Sequence, residues 1–335
     1  MSRITVLGSG AWGTAIALSL VRRGNHEVTL WSHRQETADA LARDRENRRF
    51  LPGFRFPGTL QVTGDDELAV RNAGILVCAV PSEHLRPTHA RLGRHFHPGQ
   101  IVVSATKGIE DHSFLRMTQV IAECLEREAG AHSIPIGALS GPSFAQEVAA
   151  GMPTAVTIAF SDPTVAAFIQ KEFSSPTLRL YTNDDVIGVE MGGALNNVIA
   201  IAAGVLAGLG LGSNSAAGLI TRGIAEMTRL AVAMGGKPQT LAGLAGLGDL
   251  VLTCTGGLSR NRTVGVELAH GRKLDEIVSS MKMVAEGIKT TNAAVDLARR
   301  YAVELPISQQ MFQMLHFGIS PREAIQRLME RSLMG

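Results

Sequence analysis

The chain opens on a short apolar run, Ile4–Leu7, that stops at Gly8. Apolar and small residues then recur at helical spacing from Trp12 to Val21, and Gly24 closes the segment. Val28–Leu30 is a second β-type run. Ile75–Val80, Ile101–Ser104, Ile136–Leu139 and Ala155–Ala159 repeat it, each bounded by turn or capping residues. Helical patterns such as Phe114–Ala129 fill much of the space between. Short apolar strands alternating with helices predict a mostly parallel, doubly wound sheet covered on both faces. The texture changes near residue 185. Long stretches of Ala, Leu, Gly and Met at helical spacing take over: Val189–Leu209, Ser215–Met234, Asp275–Ser280, Thr290–Tyr301 and Pro321–Leu333. Gly318 and Pro321 supply ordinary helix-end chemistry. The pattern predicts an α/β domain over residues 1–186 and an all-α domain over 187–335, with the boundary within 183–189.

Length and composition agree with two domains. The chain has 335 residues, 45% hydrophobic and 19% charged, which supports sizeable cores and excludes global disorder. A net charge of +2 without a basic run argues against nucleic acid as a partner. Only 6 of the 32 basic residues are lysines, so each lysine is informative. With 36 glycines and 4% aromatics, close approach through small residues is expected. Cys78, Cys124 and Cys254 are odd in number and far apart, which offers neither a metal site nor a disulfide framework. The N-terminus runs straight into a strand pattern without a signal peptide. The most apolar later stretch, Val198–Leu211, is about 14 residues, short of the roughly 18–20 needed to span a bilayer. The expectation is a cytoplasmic protein with no membrane span and no metal.

The first strand feeds Gly8-Ser9-Gly10-Ala11-Trp12-Gly13, a GxGxxG. In such a turn the first glycine permits a tight bend and the second lets backbone approach a pyrophosphate. The third lets helix and strand pack closely, with the helix N-terminus facing the negative charge. The motif alone is weak, but its place between a strand and a helix at the head of a βαβ unit predicts a dinucleotide site. After the second strand, where NAD-specific sites carry a carboxylate, the chain reads Trp31-Ser32-His33-Arg34. Nothing there repels a 2′-phosphate and Arg34 can pair with one, so NADP(H) is favoured, with NAD(H) still open.

With further segments the chain resembles the bacterial NAD(P)-dependent sn-glycerol-3-phosphate dehydrogenases. The blocks are Gly8–Ala15 (GSGAWGTA), Ala105–Gly108 (ATKG), Ser140–Ser143 (SGPS), Gly188–Gly204 (GVEMGGALNNVIAIAAG), Leu219–Gly223 (LITRG), Gly243–Cys254 (GLAGLGDLVLTC) and Ser259–Arg262 (SRNR). They are ordered and span nearly the whole chain. The resemblance implies a Rossmann-like domain followed by a helical one, and the interconversion of dihydroxyacetone phosphate and sn-glycerol 3-phosphate for phospholipid synthesis. It implies that Lys107, at a strand's carboxyl end, orients substrate or stabilises the alkoxide and touches the cofactor. Gly141, Ser143, Asn197, Asp249 and Ser259 are assigned to substrate, Ala145 to cofactor. Ser143 with Gln146 also reads as a capping box that opens a helix. Arg260 and Asn261, after Ser259, are implied to grip the substrate phosphate, with Arg260 also near the cofactor. Asp249 and Thr253 are implied to surround the proton donor. Gly8, Gly10, Ala11, Trp12, Gly13, His33, Arg34, Val284 and Glu286 complete the cofactor set, the last two on resemblance alone.

One position departs. The family has Ala-Leu-Lys-Asn-Val, with the lysine as proton donor; this chain reads Ala194-Leu195-Asn196-Asn197-Val198. Asn197 matches, but Asn196 cannot deliver a proton near neutral pH. Its presence should also leave Asp249 without its cation. Three explanations stay open at this point: a substitution in an otherwise normal enzyme, a variant in which Lys107 or water supplies the proton, or a pseudoenzyme that binds NADPH or triose phosphate without turnover. A related hydroxyacid dehydrogenase acting on a carboxylate is a further alternative. The helical half also suits a homodimer interface, though burial within one chain explains its small residues equally.

Overall fold

The computed structural model describes residues 1–129, 134–281 and 285–330. Among the described residues there are ten strands: β1 (Ser2–Leu7), β2 (His26–Trp31), β3 (Glu46–Asn47), β4 (Leu51–Arg55), β5 (Leu60–Thr63), β6 (Ile75–Cys78), β7 (Ile101–Ser104), β8 (Ile136–Ser140), β9 (Thr154–Ala159) and β10 (Leu178–Asn183). Eight of them form one sheet in the order β10-β9-β8-β7-β6-β1-β2-β5, while β3 and β4 pair as a separate antiparallel ribbon. All main-sheet pairings are parallel except β8 with β9. The central strands carry unbroken apolar runs because helices cover both faces. Ile75–Cys78 is buried at every residue, whereas the edge strand β10 alternates buried and exposed positions. That contrast explains why β6 and β7 were legible in the sequence while β5, β10 and the ribbon were not.

Helix ends follow the chemistry expected of them. The first helix, Ala11–Arg23, closes on Gly24 at φ 85°. Gly318, at φ 67°, ends the helix Pro306–Phe317, and Ser320 caps the helix that begins at Pro321. The helix predicted over Phe114–Ala129 begins only at Met117, because Phe114 takes a positive φ of 60° that no helix accommodates. The segment predicted as Thr290–Tyr301 begins earlier, at Glu286. The end predicted for the last helix, at Leu333, lies outside the described residues.

The helix Val186–Gly208 is the axis of the C-terminal half. Asp185 caps it, accepting from the amide of Gly188 at 2.8 Å and from that of Lys237 at 2.7 Å. The expectation of a 14-residue apolar stretch is corrected here: the helix has 23 residues and a mean hydropathy of 1.5, long enough to cross a bilayer. It is a core helix all the same, since 89% of its most apolar window is buried against surrounding helices and β8. Its close fit to the helix Arg260–Ala269 depends on Gly204 and Gly265: a Cβ on either would lie 2.0 Å from a carbonyl oxygen of the other segment.

A second buried carboxylate stabilises this half. Glu226, 2% exposed, accepts from the amides of Ile307 and Ser308 at the start of the helix Pro306–Phe317, and from the Ser308 hydroxyl. Burial pushes its pKa up to about 7, only partly offset by these hydrogen bonds. The folded value lies above the unfolded one, so the stabilisation is complete below about pH 4.5 and is lost as pH rises through about 7. The loss is on the order of 3 kcal/mol. Thermal denaturation of the full chain is therefore expected to show a Tm that falls between pH 5 and 8. Glu226→Gln is expected to flatten that fall by several degrees; equal slopes in the two proteins would remove Glu226 from the account.

Candidate active site

The carboxyl ends of the central strands converge on one edge of the sheet. Gly8 leaves β1 at φ 115°, and its amide donates to the carbonyl of Trp31 in β2 at 3.1 Å. A Cβ on Gly8 would stand 2.8 Å from the Ala79 carbonyl oxygen, and one on Gly13 would stand 1.9 Å from that of Gly8. Around Gly10 there is no atom within 4 Å of a Cβ position. Gly10 is the N-cap of Ala11–Arg23, with no side-chain cap and no acid in the first turn. Amides of a helix N-terminus beside open space fit a pyrophosphate. Ala11 and Trp12 are half-buried at that opening. The turn is braced by Asn47, 2% exposed, whose amide donates to the Ser9 carbonyl at 2.8 Å and the Thr14 hydroxyl at 2.9 Å. Sequence reasoning missed Asn47: it sits in a polar run with no periodicity and reaches the turn only through the β3–β4 ribbon.

His33 and Arg34 are exposed just after β2, and Ser32 bonds to Ser9 across the turn at 3.0 Å. Burial, then Arg34, His84 and Arg91, hold the His33 pKa below its usual value. Asp66 is engaged by Arg91 and by the indole of Trp31, and Arg91 also donates to the His33 carbonyl.

Beyond the dinucleotide turn the remaining residues join in a closed ring. Lys107, in the loop after β7, places its ammonium 2.5 Å from Asp249 Oδ2. Asp249 is 2% exposed at the head of the helix Asp249–Thr255. Burial raises its pKa, against Lys107 and then weaker contributions from Asn196 and Thr253. Thr253 donates to the Asp249 backbone carbonyl at 2.6 Å. The expectation that Asp249 lacks a cation is thus corrected: Lys107 serves. Asn196, 0% exposed, lies beside that carboxylate without reaching hydrogen-bonding geometry, and both its amide atoms lack a partner. Asn197 accepts from the Asn261 amide at 2.7 Å, and Asn261 Oδ1 accepts from the amide of Gly287 at 3.0 Å. Ser259 caps the helix Arg260–Ala269 by accepting from the amide of Arg262. Arg260 is exposed and interacts with Glu286, whose carboxylate accepts from the Ser82 hydroxyl at 2.5 Å. Desolvation by the protein around its guanidinium lowers the Arg260 pKa against the pull of Glu286, and burial raises that of Glu286. Ser82 and Glu286 both lie against Gly108, which returns to Lys107.

Gly141 and Ser143 adjoin the ring at the end of β8. The Ser140 hydroxyl is buried without a partner, next to Gly193 one turn before Asn197. The capping box expected of Ser143 and Gln146 is not formed. Ser143 donates to the Gly141 carbonyl at 2.9 Å, and Phe144 is the N-cap of the helix Ala145–Ala150. Gly141, at φ 144°, bends the chain so that Ser143 falls one residue too early to cap. Val284 lies outside the described residues. Among the described residues there is no cluster of His, Cys, Asp or Glu suited to a metal ion.

The comparisons agree with this geometry. Residues 3–166 match the model of the NAD-dependent glycerol-3-phosphate dehydrogenase N-terminus, and residues 185–326 match that of the C-terminus. A protein from Acidobacterium capsulatum named glycerol-3-phosphate dehydrogenase [NAD(P)+] is 57% identical over 99% of this chain and 98% of its own length. One of the same name from Koribacter versatilis is 54% identical over 99% and 98%. The crystal structure of glycerol-3-phosphate dehydrogenase from Coxiella burnetii superposes with a TM-score of 0.92 at 39% identity, covering 98% of this chain and 99% of that one. A dinucleotide turn, a lysine–aspartate pair and a capped arginine helix thus occur in a chain that belongs to the NAD-dependent glycerol-3-phosphate dehydrogenase family.

Proposed function

We propose that this chain interconverts dihydroxyacetone phosphate and sn-glycerol 3-phosphate with a nicotinamide dinucleotide, NADPH preferred. The observation that carries the reading is the closed ring from Lys107 through Asp249, Asn196–Asn197, Asn261–Arg260 and Glu286 to Gly108, next to the glycine turn. It brings a lysine–aspartate ion pair for a carbonyl and a capped helix N-terminus with an arginine for a phosphate to one cleft. The reading keeps the division at residue 186, with residues 1–186 holding most of the dinucleotide and residues 187–335 completing the site.

Each part has a physical task. The N-terminal amides of Ala11–Arg23 receive the pyrophosphate through the gap at Gly10. The bound nicotinamide supplies or accepts the hydride. Arg260 and the N-terminus of its helix hold the substrate phosphate, and a planar guanidinium does so with two parallel bonds. Asn261 and Asn197 hold one another and keep that helix in register with the core helix. Ser143 and Gly141 line the substrate side of β8, while Ala145 and Glu286 face the dinucleotide.

The preference for NADPH is supported by the cations around His33. A 2′-phosphate there relieves the mutual repulsion of His33, Arg34, His84 and Arg91. Arg34→Ala is expected to weaken NADPH about tenfold, one charged hydrogen bond's worth, and to leave NADH unchanged. Fluorescence titration with both cofactors tests it; equal losses would sink the preference. The substrate assignment is tested by NADPH oxidation with dihydroxyacetone phosphate against phosphate-free dihydroxyacetone, where a large preference for the phosphate is expected. A homodimer is supported by the exposed first half of the helix Ser213–Ala233, and sedimentation tests it.

A further inference from the structure

We propose that Lys107, held by Asp249, is the proton donor of this chain, and that Asn196 has no part in proton transfer. This rests on the function proposed above and assigns its acid. A donor must reach the cleft and carry a transferable proton. Asn196 does neither: its side chain has no exposed surface, and an amide does not ionise in the working range. It is buried beside the Asp249 carboxylate with neither amide atom in a well-formed hydrogen bond, so it does not complete a proton path.

Lys107 satisfies both conditions. Its side chain is 25% exposed, while that of Asp249, to which it is bound, is 2% exposed. The pair is set among three elements: Asp249 holds the ammonium from its own helix, Asn196 of the core helix lies beside that carboxylate, and Ser140 at the end of β8 shares the surroundings of Gly193 with the Lys107 side chain. Thr253 is turned onto the Asp249 backbone carbonyl and lies 3.5 Å from its Oδ1. The neighbouring Cys254 thiol is pushed up to about 12, chiefly by burial, and stays protonated. Among the described residues of the ring Lys107 is the one primary ammonium, and it is open to the cleft.

The step balances. Hydride arrival at the carbonyl carbon forms a C–H bond and moves the C=O electron pair onto oxygen. That oxygen takes a proton from Lys107 Nζ; an O–H bond forms, an N–H bond breaks, and the lone pair stays on the amine beside Asp249. Water at the exposed edge of Lys107 returns the proton before the next turnover. Oxidation of the alcohol runs the same path in reverse.

The test uses the full chain and the variants Lys107→Ala, Lys107→Arg and Asn196→Lys. NADPH affinity is read by fluorescence, kcat and KM with dihydroxyacetone phosphate, and the rescue of Lys107→Ala by added primary amines. The parent is expected to turn over. Lys107→Ala is expected to lose ~10²–10⁴-fold in kcat with NADPH affinity within a few-fold, and to regain rate with amines according to their basicity. Lys107→Arg keeps a cation on Asp249 but no readily lost proton, and is expected to stay slow. The proposal is overturned if either Lys107 variant keeps kcat within tenfold of the parent. It is also overturned if the parent is inert while Asn196→Lys turns over. Inertness of both parent and Asn196→Lys, with NADPH bound, overturns the function reading itself.

Discussion

Asp249→Asn is expected to lower kcat for dihydroxyacetone phosphate by ~10²-fold and to leave NADPH affinity within a few-fold. The carboxylate makes the contact that holds the Lys107 ammonium in the cleft, 2.5 Å away. An amide of the same shape keeps the packing but removes the charge. The lysine, a quarter exposed, then swings toward water and is present at the reacting oxygen only a fraction of the time. The stability consequence runs the other way. Burial lifts the Asp249 pKa above its unfolded value, so its ionised form costs stability as pH rises. A neutral side chain avoids that cost, and the variant is expected to melt no lower than the parent at pH 8. Slow turnover in an intact protein separates this from general damage, which would lower kcat and Tm together. Unchanged kcat would show that the ion pair is structural only.

Arg260→Ala is expected to raise KM for dihydroxyacetone phosphate by ~10²-fold with a smaller effect on kcat. A charge-assisted bond is worth about 1.5–3 kcal/mol, and two such bonds to one phosphate reach that factor even when they add incompletely. The helix Arg260–Ala269 should survive, because its cap is Ser259, not Arg260. The control is phosphate-free dihydroxyacetone. Its kcat/KM is expected to be the same in parent and variant, since it lacks the group that Arg260 holds. A parallel loss with both substrates would place Arg260 on the cofactor or on Glu286 instead.

What the sequence disclosed follows from the range of the interactions involved. Gly8, Gly10 and Gly13 were legible because the turn's demands are local: each glycine answers to a neighbour a few residues away or to the next strand. The central strands were legible because burial on both faces leaves an unbroken apolar run. The edge strand β10 and the β3–β4 ribbon lack that run and went unseen. The Lys107–Asp249 pair joins residues 142 positions apart. Spacing alone could suggest only that a buried carboxylate needs a cation, and the vacancy at Asn196 pointed away from the answer. Ser143 misled for a local reason: a capping pattern was present, but the bend at Gly141 moved the helix start to Ala145. Asn47 and the Ser82–Glu286 contact depend on tertiary placement and carried no signal at all.

The departure at residue 196 makes the chain with Asn196 in place the decisive reagent. The measurement that tests the account most directly is steady-state NADPH oxidation by the unaltered protein with dihydroxyacetone phosphate at neutral pH. The account predicts turnover within the ordinary enzyme range of about 1–10³ s⁻¹, with Asn196 in place. Tight binding of NADPH with no consumption above background would contradict it.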